Sequence, residues 1–475
     1  MSSIAELSQQ LYQVLQERAD SVAKETGCVQ RRRKFSGASL LQTLVFGWQQ
    51  HPDASLEQLA STAATGDVLV TDTAVQKRFT PRAAKFLHAM LEEACSLVVQ
   101  AAHDVPLPLL RRFSAVILED SSSLSLPNEL AEIWRGCGGN QDHTAAAVKL
   151  HVRWELKRGG LWGPKLTDGR ASDRRSPLNE EPIERGSLLV RDLGYFNLEH
   201  IAQWREAGAY TLTRWQAGTA LFTAKGKKLS WQNALPQRVG QMKQMRVLVG
   251  ATARQAMRLL MFKVPKKVGD QRREDLLADA KRRGQPVSEE TLRLADWTIL
   301  LTDVPNKRLR FEQALVLLRE RWQMELLYKL WKSEGVIDEW RTENPWRVLC
   351  ELYAKLIGML LQHWLIVLFA WQDPQRSLVK LAQAVRDTSW VLMDALAGHR
   401  SVRSALRLIG RRMRSGCQMN KRKTHPNSAQ LLEQEAVEWA LSWGARRGAL
   451  TGSGKGREGK GREGKAKGAV CSQRP

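Results

Sequence analysis

Cysteine is scarce in this chain. The 475 residues contain six, at positions 28, 95, 137, 350, 417 and 471, far apart and with no Cys-x-x-Cys pair. Neither a zinc ribbon nor a disulfide scaffold is supported, and a reducing cytoplasm is the simplest compartment. Histidine is nearly as sparse, nine in all, with no His-Glu-x-x-His pair. No Gly-x-Ser-x-Gly elbow occurs either, so zinc-protease and serine-hydrolase chemistry lack their marks. Cys137, in Arg-Gly-Cys-Gly-Gly, reads as a small packing residue rather than a nucleophile. Long apolar runs are missing too. The most apolar stretch, residues 356–371, contains Gln362 and His363 and falls short of the roughly 20 apolar residues a bilayer helix needs. A buried helix is expected there, and no membrane partner. The N-terminal 20 residues are amphipathic, without the apolar core of a signal peptide.

Acidic residues are outnumbered, 49 against 73 Lys plus Arg, which leaves a net charge of +24. Such a balance calls for a polyanionic partner, nucleic acid or an anionic surface, and says nothing about fold. A hydrophobic content of 43% with 17 Trp supplies ample core, and the length suggests about three packed units.

Residues 1–108 read as a helical, basic region. Arg31-Arg32-Arg33-Lys34 precede a helix over 37–50. Ser55-x-x-Gln58 is a capping box opening a second helix, Thr71-Asp72-Thr73 introduce a third over 71–79, and Thr80-Pro81 start a fourth. With Gln76, Lys77 and Arg78 exposed, this suits a helix-turn-helix reader of the major groove. An ordinary helical bundle with a solvated basic face fits equally well.

Near residue 110 the period changes from 3.6 to 2. Residues 113–120 form an apolar run ending in Glu119-Asp120; 145–156 and 160–169 look like a hairpin; 186–192 is a run ending in Asp192. A helical crossover is expected before that run, a helix over 197–207 and a strand over 210–215 after it. The order predicts an α/β fold with a mixed sheet. Residues 216–296 break the rhythm with Lys-rich punctuation (Lys225, Lys227, Lys228, Lys263, Lys266, Lys267), a strand-like 245–253 and the charged stretch 272–290, and read as an inserted subdomain. A strand over 297–304, a long helix over 309–334 and mostly helical sequence to about 447 follow. The last 25 residues repeat Gly-Arg-Glu-Gly-Lys and read as a disordered basic tail.

Asp120 and Asp192 are each expected to end a strand, where open sheets bind ligands. Two-metal phosphoryl transfer needs several carboxylates converging on one point, because hard cations demand oxygen ligands. On the 309–334 helix, Arg321, Glu325, Lys329 and Lys332 are spaced 4, 4 and 3, which puts them on one face beside buried Leu315, Trp322, Leu326 and Leu330. A carboxylate among cations suits a metal ligand flanked by phosphate-gripping groups. On spacing alone, a solvated salt-bridging stripe explains the four slightly better.

Together these residues resemble a known family, the DDE insertion-sequence transposases of the IS-four group, with its Tyr-x2-Arg-x3-Glu-x6-Lys signature. Arg321-x3-Glu325-x6-Lys332 fits it, with Leu318 at the Tyr position; Asp192-Leu193-Gly194-Tyr195-Phe196 matches the family's Asp-x-Gly-Tyr-Phe motif, and Asp120 supplies the first Asp. The resemblance covers roughly residues 30–440. It implies an RNase H-like core with a β-rich insertion between the second Asp and the Glu. It further implies that Asp120, Asp192 and Glu325 are the catalytic residues and hold two Mg²⁺ ions, with Mn²⁺ able to substitute. Arg321, Lys329 and Lys332 would grip transposon-end phosphates, Arg214 would contact DNA, and Trp297 would stack a flipped base; surface charge and core packing are the plainer readings of the last two. The partner would be double-stranded DNA, inverted repeats and target, bound by a homodimer in the bacterial cytoplasm at the nucleoid. A catalytically inactive end-binding protein is the alternative. The expected organisation is 1–108 DNA-binding, 109–215 and 297–340 catalytic core, 216–296 insertion, 341–448 a helical region offering a dimer contact, and 449–475 tail. Useful positive charge is expected on the N-terminal reader, the Arg321/Lys329/Lys332 face, the insertion and residues 411–423.

Overall fold

A computed structural model describes residues 3–30, 34–138, 145–419 and 428–434. Arg31–Arg33, the end of the 411–423 stretch and the 449–475 tail lie outside the described residues.

The apolar runs form one nine-stranded sheet. Its strands are β1 (Val116–Leu126), β2 (Ala146–Glu155), β3 (Leu161–Asp168), β4 (Leu188–Arg191), β5 (Tyr210–Arg214), β6 (Leu221–Thr223), β7 (Met242–Val249), β8 (Gln255–Lys263) and β9 (Trp297–Thr302). They lie in the order 3-2-1-4-5-9-8-7-6. β1, β2 and β3 form an antiparallel meander, β4 runs parallel to β1, and β5 parallel to β4. This is the mixed sheet of an RNase H-like core, as the resemblance implies. β4 is buried on both faces, which is why it reads as an unbroken apolar run rather than an alternation.

Four expectations change. First, β1 does not end at Asp120. It runs on to Leu126 because β2 keeps pairing with it, Ser121 opposite His151 through Leu126 opposite Ala146. The strand that stops at this level is β4, whose pairing ends at Glu119 opposite Arg191. Second, no helix precedes β4; the connection is two short 3₁₀ turns, Asp173–Arg175 and Pro177–Glu180, in a Ser/Asp/Pro-rich segment that favours turns. Third, the inserted segment joins the core sheet. β8 pairs along the whole of β9, Arg258 opposite Thr302 through Lys263 opposite Trp297, so β6–β8 extend the core sheet. Fourth, the helix expected over 309–334 is two helices, Phe311–Glu320 and Trp322–Gly335, meeting at Arg321. There the turn tightens to i→i+3 bonds, Arg321 N to Leu318 O and Met324 N to Arg321 O. The join turns Leu326 outward, 38% exposed, and leaves Trp322 half-buried.

Each face of the sheet has its own core. One holds Ile117, Leu189, Phe196, Trp204, Leu259 and Leu301. The other holds Val116, Leu118, Leu150 and Val190 and continues without interruption through the N- and C-terminal helices. The N-terminal helices Leu56–Thr65, Asp72–Gln76 and Pro81–Cys95 start at side-chain caps from Ser55, Thr71 and Thr80, as the sequence predicts, and Gly37–Gln50 starts at a cap from Ser36 that the sequence reading did not name. The helix capped by Thr71 stops at Gln76, earlier than expected. Gly37–Gln50 and Pro81–Cys95 pack on the helix Pro345–Ala370, where Gln49 Nε2 donates to Gly358 O at 3.1 Å. That helix is long and apolar enough to cross a membrane, yet 94% of its apolar window is buried inside the fold. Its surface is covered mostly by this chain itself.

Candidate active site

Successive strand residues face opposite sides of a sheet, and β1 uses this to separate Glu119 from Asp120. Asp120 shares the face of Val116 and Leu118, toward the helix Trp322–Gly335. Register with β4 sets Asp192, the residue after Arg191, beside Asp120. The helix is held against β1 by Tyr328, whose buried hydroxyl reaches the carbonyl oxygens of Asp120 (2.8 Å) and Leu150 (3.1 Å). This brings Glu325, one turn earlier, to the same place.

At the centre lies the guanidinium of Arg321. Nη1 meets Asp120 Oδ2 at 2.9 Å, Nη2 meets Glu325 Oε1 at 2.8 Å, and Nε stands 3.6 Å from Asp192 Oδ1. The Arg321 guanidinium therefore touches all three carboxylates. Burial pushes the Asp120 carboxyl up to about 7; Arg321 opposes the rise, and Asp192 and Glu325 add to it. Burial likewise raises Glu325, against the pull of Arg321. Burial disfavours the charge on Arg321, but Asp192, Asp120 and Glu325 outweigh it and raise its pKa.

Arg214 closes β5 near this cluster. Burial lowers its pKa, while Asp192 and Glu325 act to raise it and Arg321 to lower it. The turn after Asp192 is fixed by Gly194, where a Cβ would stand 2.8 Å from Asp173 Oδ2. Asp173 accepts from Ser121 Oγ at 2.8 Å and from Lys149 Nζ at 3.0 Å, tying the Asp-x-Gly-Tyr-Phe turn to β1 and β2. Tyr195 of that turn is buried, its hydroxyl 3.3 Å from His151 Nδ1. Asp173 and Tyr328 escaped the sequence reading. Tyr328 carried a signal, an aromatic polar residue at i+3 from Glu325 on an otherwise apolar stripe, whereas Asp173 looks like any turn-forming Asp.

The face behind the site is held differently. Glu119 is fully buried between Arg153 Nε (3.2 Å) and Arg191 Nη2 (2.6 Å). Burial would raise its carboxyl, but Arg191 and Arg153 prevail and hold it below the usual range. Arg191 also stacks over Trp204, 4.3 Å from the ring centroid.

The remaining predicted residues are spread around the cluster. Lys329 is exposed on the Glu325 helix, and Lys332 lies 3.8 Å from Asp338. Trp297 opens β9 three residues before Leu300, the partner of Arg214, about 10 Å farther along the sheet. Its indole N–H donates to Pro236 O at 2.9 Å, and Lys263 Nζ sits 5.2 Å over its ring. Gln76 and Lys77 are exposed on the N-terminal helices, and Arg78 lies over the Phe35 ring at 5.6 Å.

Hard divalent cations take carboxylate oxygens, and this donor set, short of positive charge, has the chemistry to take them. Among the described residues no group of three or more His, Cys, Asp or Glu is already gathered around one ion position; the three carboxylates gather on Arg321 instead.

The family "Transposase DDE domain" matches residues 111–361, a span that takes in all three carboxylates. The chain is similar to the transposase for insertion sequence element IS231B of Bacillus thuringiensis subsp. berliner, 25% identical over 363 residues, which cover 72% of this chain and 75% of the relative. It is similar also to the transposase for IS1151 of Clostridium perfringens, 21% identical over 365 residues, with 72% and 76% covered. The transposase for IS421 of Escherichia coli is 25% identical over 356 residues, with 73% and 89% covered. With its RNase H-like sheet and these relatives, the chain belongs to the DDE transposases, in the IS-four group of insertion-sequence enzymes.

Proposed function

We propose that this transposase cuts and joins transposon ends by two-metal phosphoryl transfer, in a cut-and-paste reaction carried by Asp120, Asp192 and Glu325. The observation that carries the reading is the convergence of the three carboxylates on one point, the Arg321 guanidinium. These carboxylates would hold two Mg²⁺ ions, with Mn²⁺ able to substitute. When bound, such ions supply the positive charge that activates an attacking oxygen and stabilises a leaving one. A water or a DNA 3′-hydroxyl attacks phosphorus in line, a new P–O bond forms, and the opposite P–O bond breaks.

The chain's own residues position the DNA. Arg321, Lys329, Lys332 and Arg214 offer cations to phosphates around the scissile bond. Trp297 offers a ring on which a base displaced from the duplex stacks, an interaction of about 1–3 kcal/mol that partly offsets the cost of flipping. Gln76 and Lys77, with Arg78, are placed to read the inverted repeats from the N-terminal helices. The working assembly is a dimer on paired ends, acting in the cytoplasm at the nucleoid.

The test is strand cleavage of duplexes bearing the element's inverted repeats, with and without Mg²⁺, by the wild type and by Glu325→Gln. Metal-dependent cleavage by the wild type alone supports the reading. A wild type as inert as Glu325→Gln that still binds the ends would instead make the chain an end-binding protein without catalysis.

A further inference from the structure

The helix Val402–Ser415 carries five arginines and no acidic residue. Its buried side is Ala405, Leu406, Ile409, Gly410 and Met413. Spaced 4, 4 and 3, Arg403, Arg407, Arg411 and Arg414 fall within an arc of about 80° at 100° per residue and span about 16 Å. All four are exposed, as is Arg412 on the other edge. Among the described residues none of the five has a carboxylate partner. The nearby acids are engaged elsewhere: Asp394 with His399 and Arg400, Asp373 with Arg376, Glu6 with the Ser3 amide. A folded chain rarely leaves so many like charges side by side without a counterion, because each raises the cost of the next.

The stripe has a fixed relation to the catalytic helix. Arg376 Nη1 donates to Met413 O and Gly416 O, at 2.6 and 2.7 Å, which ties the end of the stripe to the start of the helix Leu378–Arg386. The far end of that helix is bound to Trp322–Gly335 by Arg386 and Glu334, 2.8 Å apart. At 8–10 Å per helix layer, the stripe lies roughly 16–20 Å from the Glu325 helix. A duplex covers that distance in about five or six base pairs at 3.4 Å each. Over its own 16 Å the stripe meets about two or three phosphates of one strand before that strand winds away around the duplex.

We propose that Arg403, Arg407, Arg411 and Arg414 form a second DNA-contact surface, gripping duplex phosphates without reading sequence, apart from the carboxylate cluster. The inference takes only the identity of the polyanion from the reading as a DNA-acting enzyme. It requires neither bound metal nor cleavage.

The test uses the full chain, a duplex of random sequence, and EDTA throughout, so that lack of cleavage has no bearing on the result. The variant Arg403→Gln/Arg407→Gln/Arg411→Gln spares Arg414, whose guanidinium covers the Phe369 ring at 5.6 Å. The slope of log affinity against log salt should become shallower by about 2–3, near 0.9 per lost phosphate contact, with affinity near 0.1 M salt at least tenfold weaker. The triple Lys variant should keep the wild-type slope. An unchanged slope in a Gln variant that melts like the wild type overturns the proposal, as does a Lys variant as weak as the Gln variant. If the Gln triple does not fold, Arg407→Gln alone decides, with an expected slope change of about 0.9 and overturn at zero. Binding of phosphatidylserine vesicles that the Gln variant loses while keeping its DNA slope also overturns it, in favour of a membrane surface.

Discussion

Glu119 and Asp120 are consecutive residues with the same functional group, and the protein treats them in opposite ways. Glu119 is sealed behind the sheet with two arginines to itself, and its charge is held firmly in place. Asp120 shares Arg321 with two other carboxylates, and burial pushes its carboxyl up to about 7. Behind the sheet positive charge is in excess and the network is complete. In front it is in deficit, by an amount that further cations would correct. A strand's two-residue period puts these environments a single peptide apart, and the lesson is that a binding site shows itself by the charge it leaves unbalanced.

The largest test of this contrast is Asp120→Asn. Cleavage should fall by about 10³-fold or more, roughly 4 kcal/mol in activation free energy, while the melting temperature stays put or rises, since a repelling carboxylate is gone. A variant that loses activity only by unfolding would erase the distinction between the two faces. Glu119→Gln should do the reverse. It leaves Arg153 and Arg191 buried without their counter-charge and should cost about 3–5 kcal/mol of stability in urea unfolding. Intact stability with abolished cleavage would move Glu119 to the catalytic side.

Arg321→Met sharpens the point further. Without the shared guanidinium the three carboxylates repel one another, and stability without divalent ions should fall by about 2 kcal/mol. Added Ca²⁺ or Mn²⁺ should restore more of it than it adds to the wild type, as read by thermal melting. A fourth test uses Glu320, next to Arg321 but turned into the core, its carboxyl pushed up to about 8 chiefly by burial. The folded pKa lies above the unfolded value of 4.5, so its contribution is complete below about pH 4.5 and is lost as pH rises through 8. Glu320→Gln should flatten this decline, which is worth on the order of 1–3 kcal/mol between pH 5 and 8.5. A wild-type decline retained in the variant assigns it elsewhere. Smallest is Leu318→Tyr, which restores the signature residue at a half-buried position and should tighten end binding two- to fivefold, about 0.5–1 kcal/mol.

Much of the fold was legible because its signals are local. The runs behind β1, β2, β3, β4, β5 and β9 are short and apolar, and the caps at Ser55, Thr71 and Thr80 announce their helices one residue ahead. β8 was not read, because Arg258 and Gln255 interrupt its pattern inside a segment that composition marks as charged. The break at Arg321 was invisible as well, since nothing in Leu-Leu-Arg-Glu-Arg-Trp opposes a continuous helix. The three carboxylates are named through the family resemblance, which the Asp-x-Gly-Tyr-Phe and Arg-x3-Glu-x6-Lys motifs carry. Their meeting on Arg321 was not legible, because Asp120 lies 201 residues from it and only the register of β1 and β4 closes that gap. The Arg153–Glu119–Arg191 network is illegible for the same reason, its members being 34 and 72 residues apart.

The helix Pro345–Ala370 also sets a timetable. The helix Gly37–Gln50 is made early, yet the residues it rests on, among them Gly358, follow 309 positions later. At roughly 5–20 residues per second, the N-terminal helices wait about 15 seconds to a minute for their supporting surface to be synthesised. A message cut short before this helix would yield those helices with their apolar sides bare, a target for proteases rather than a rival for DNA. Docking of the N-terminal helices thus has to follow synthesis of the helix Pro345–Ala370.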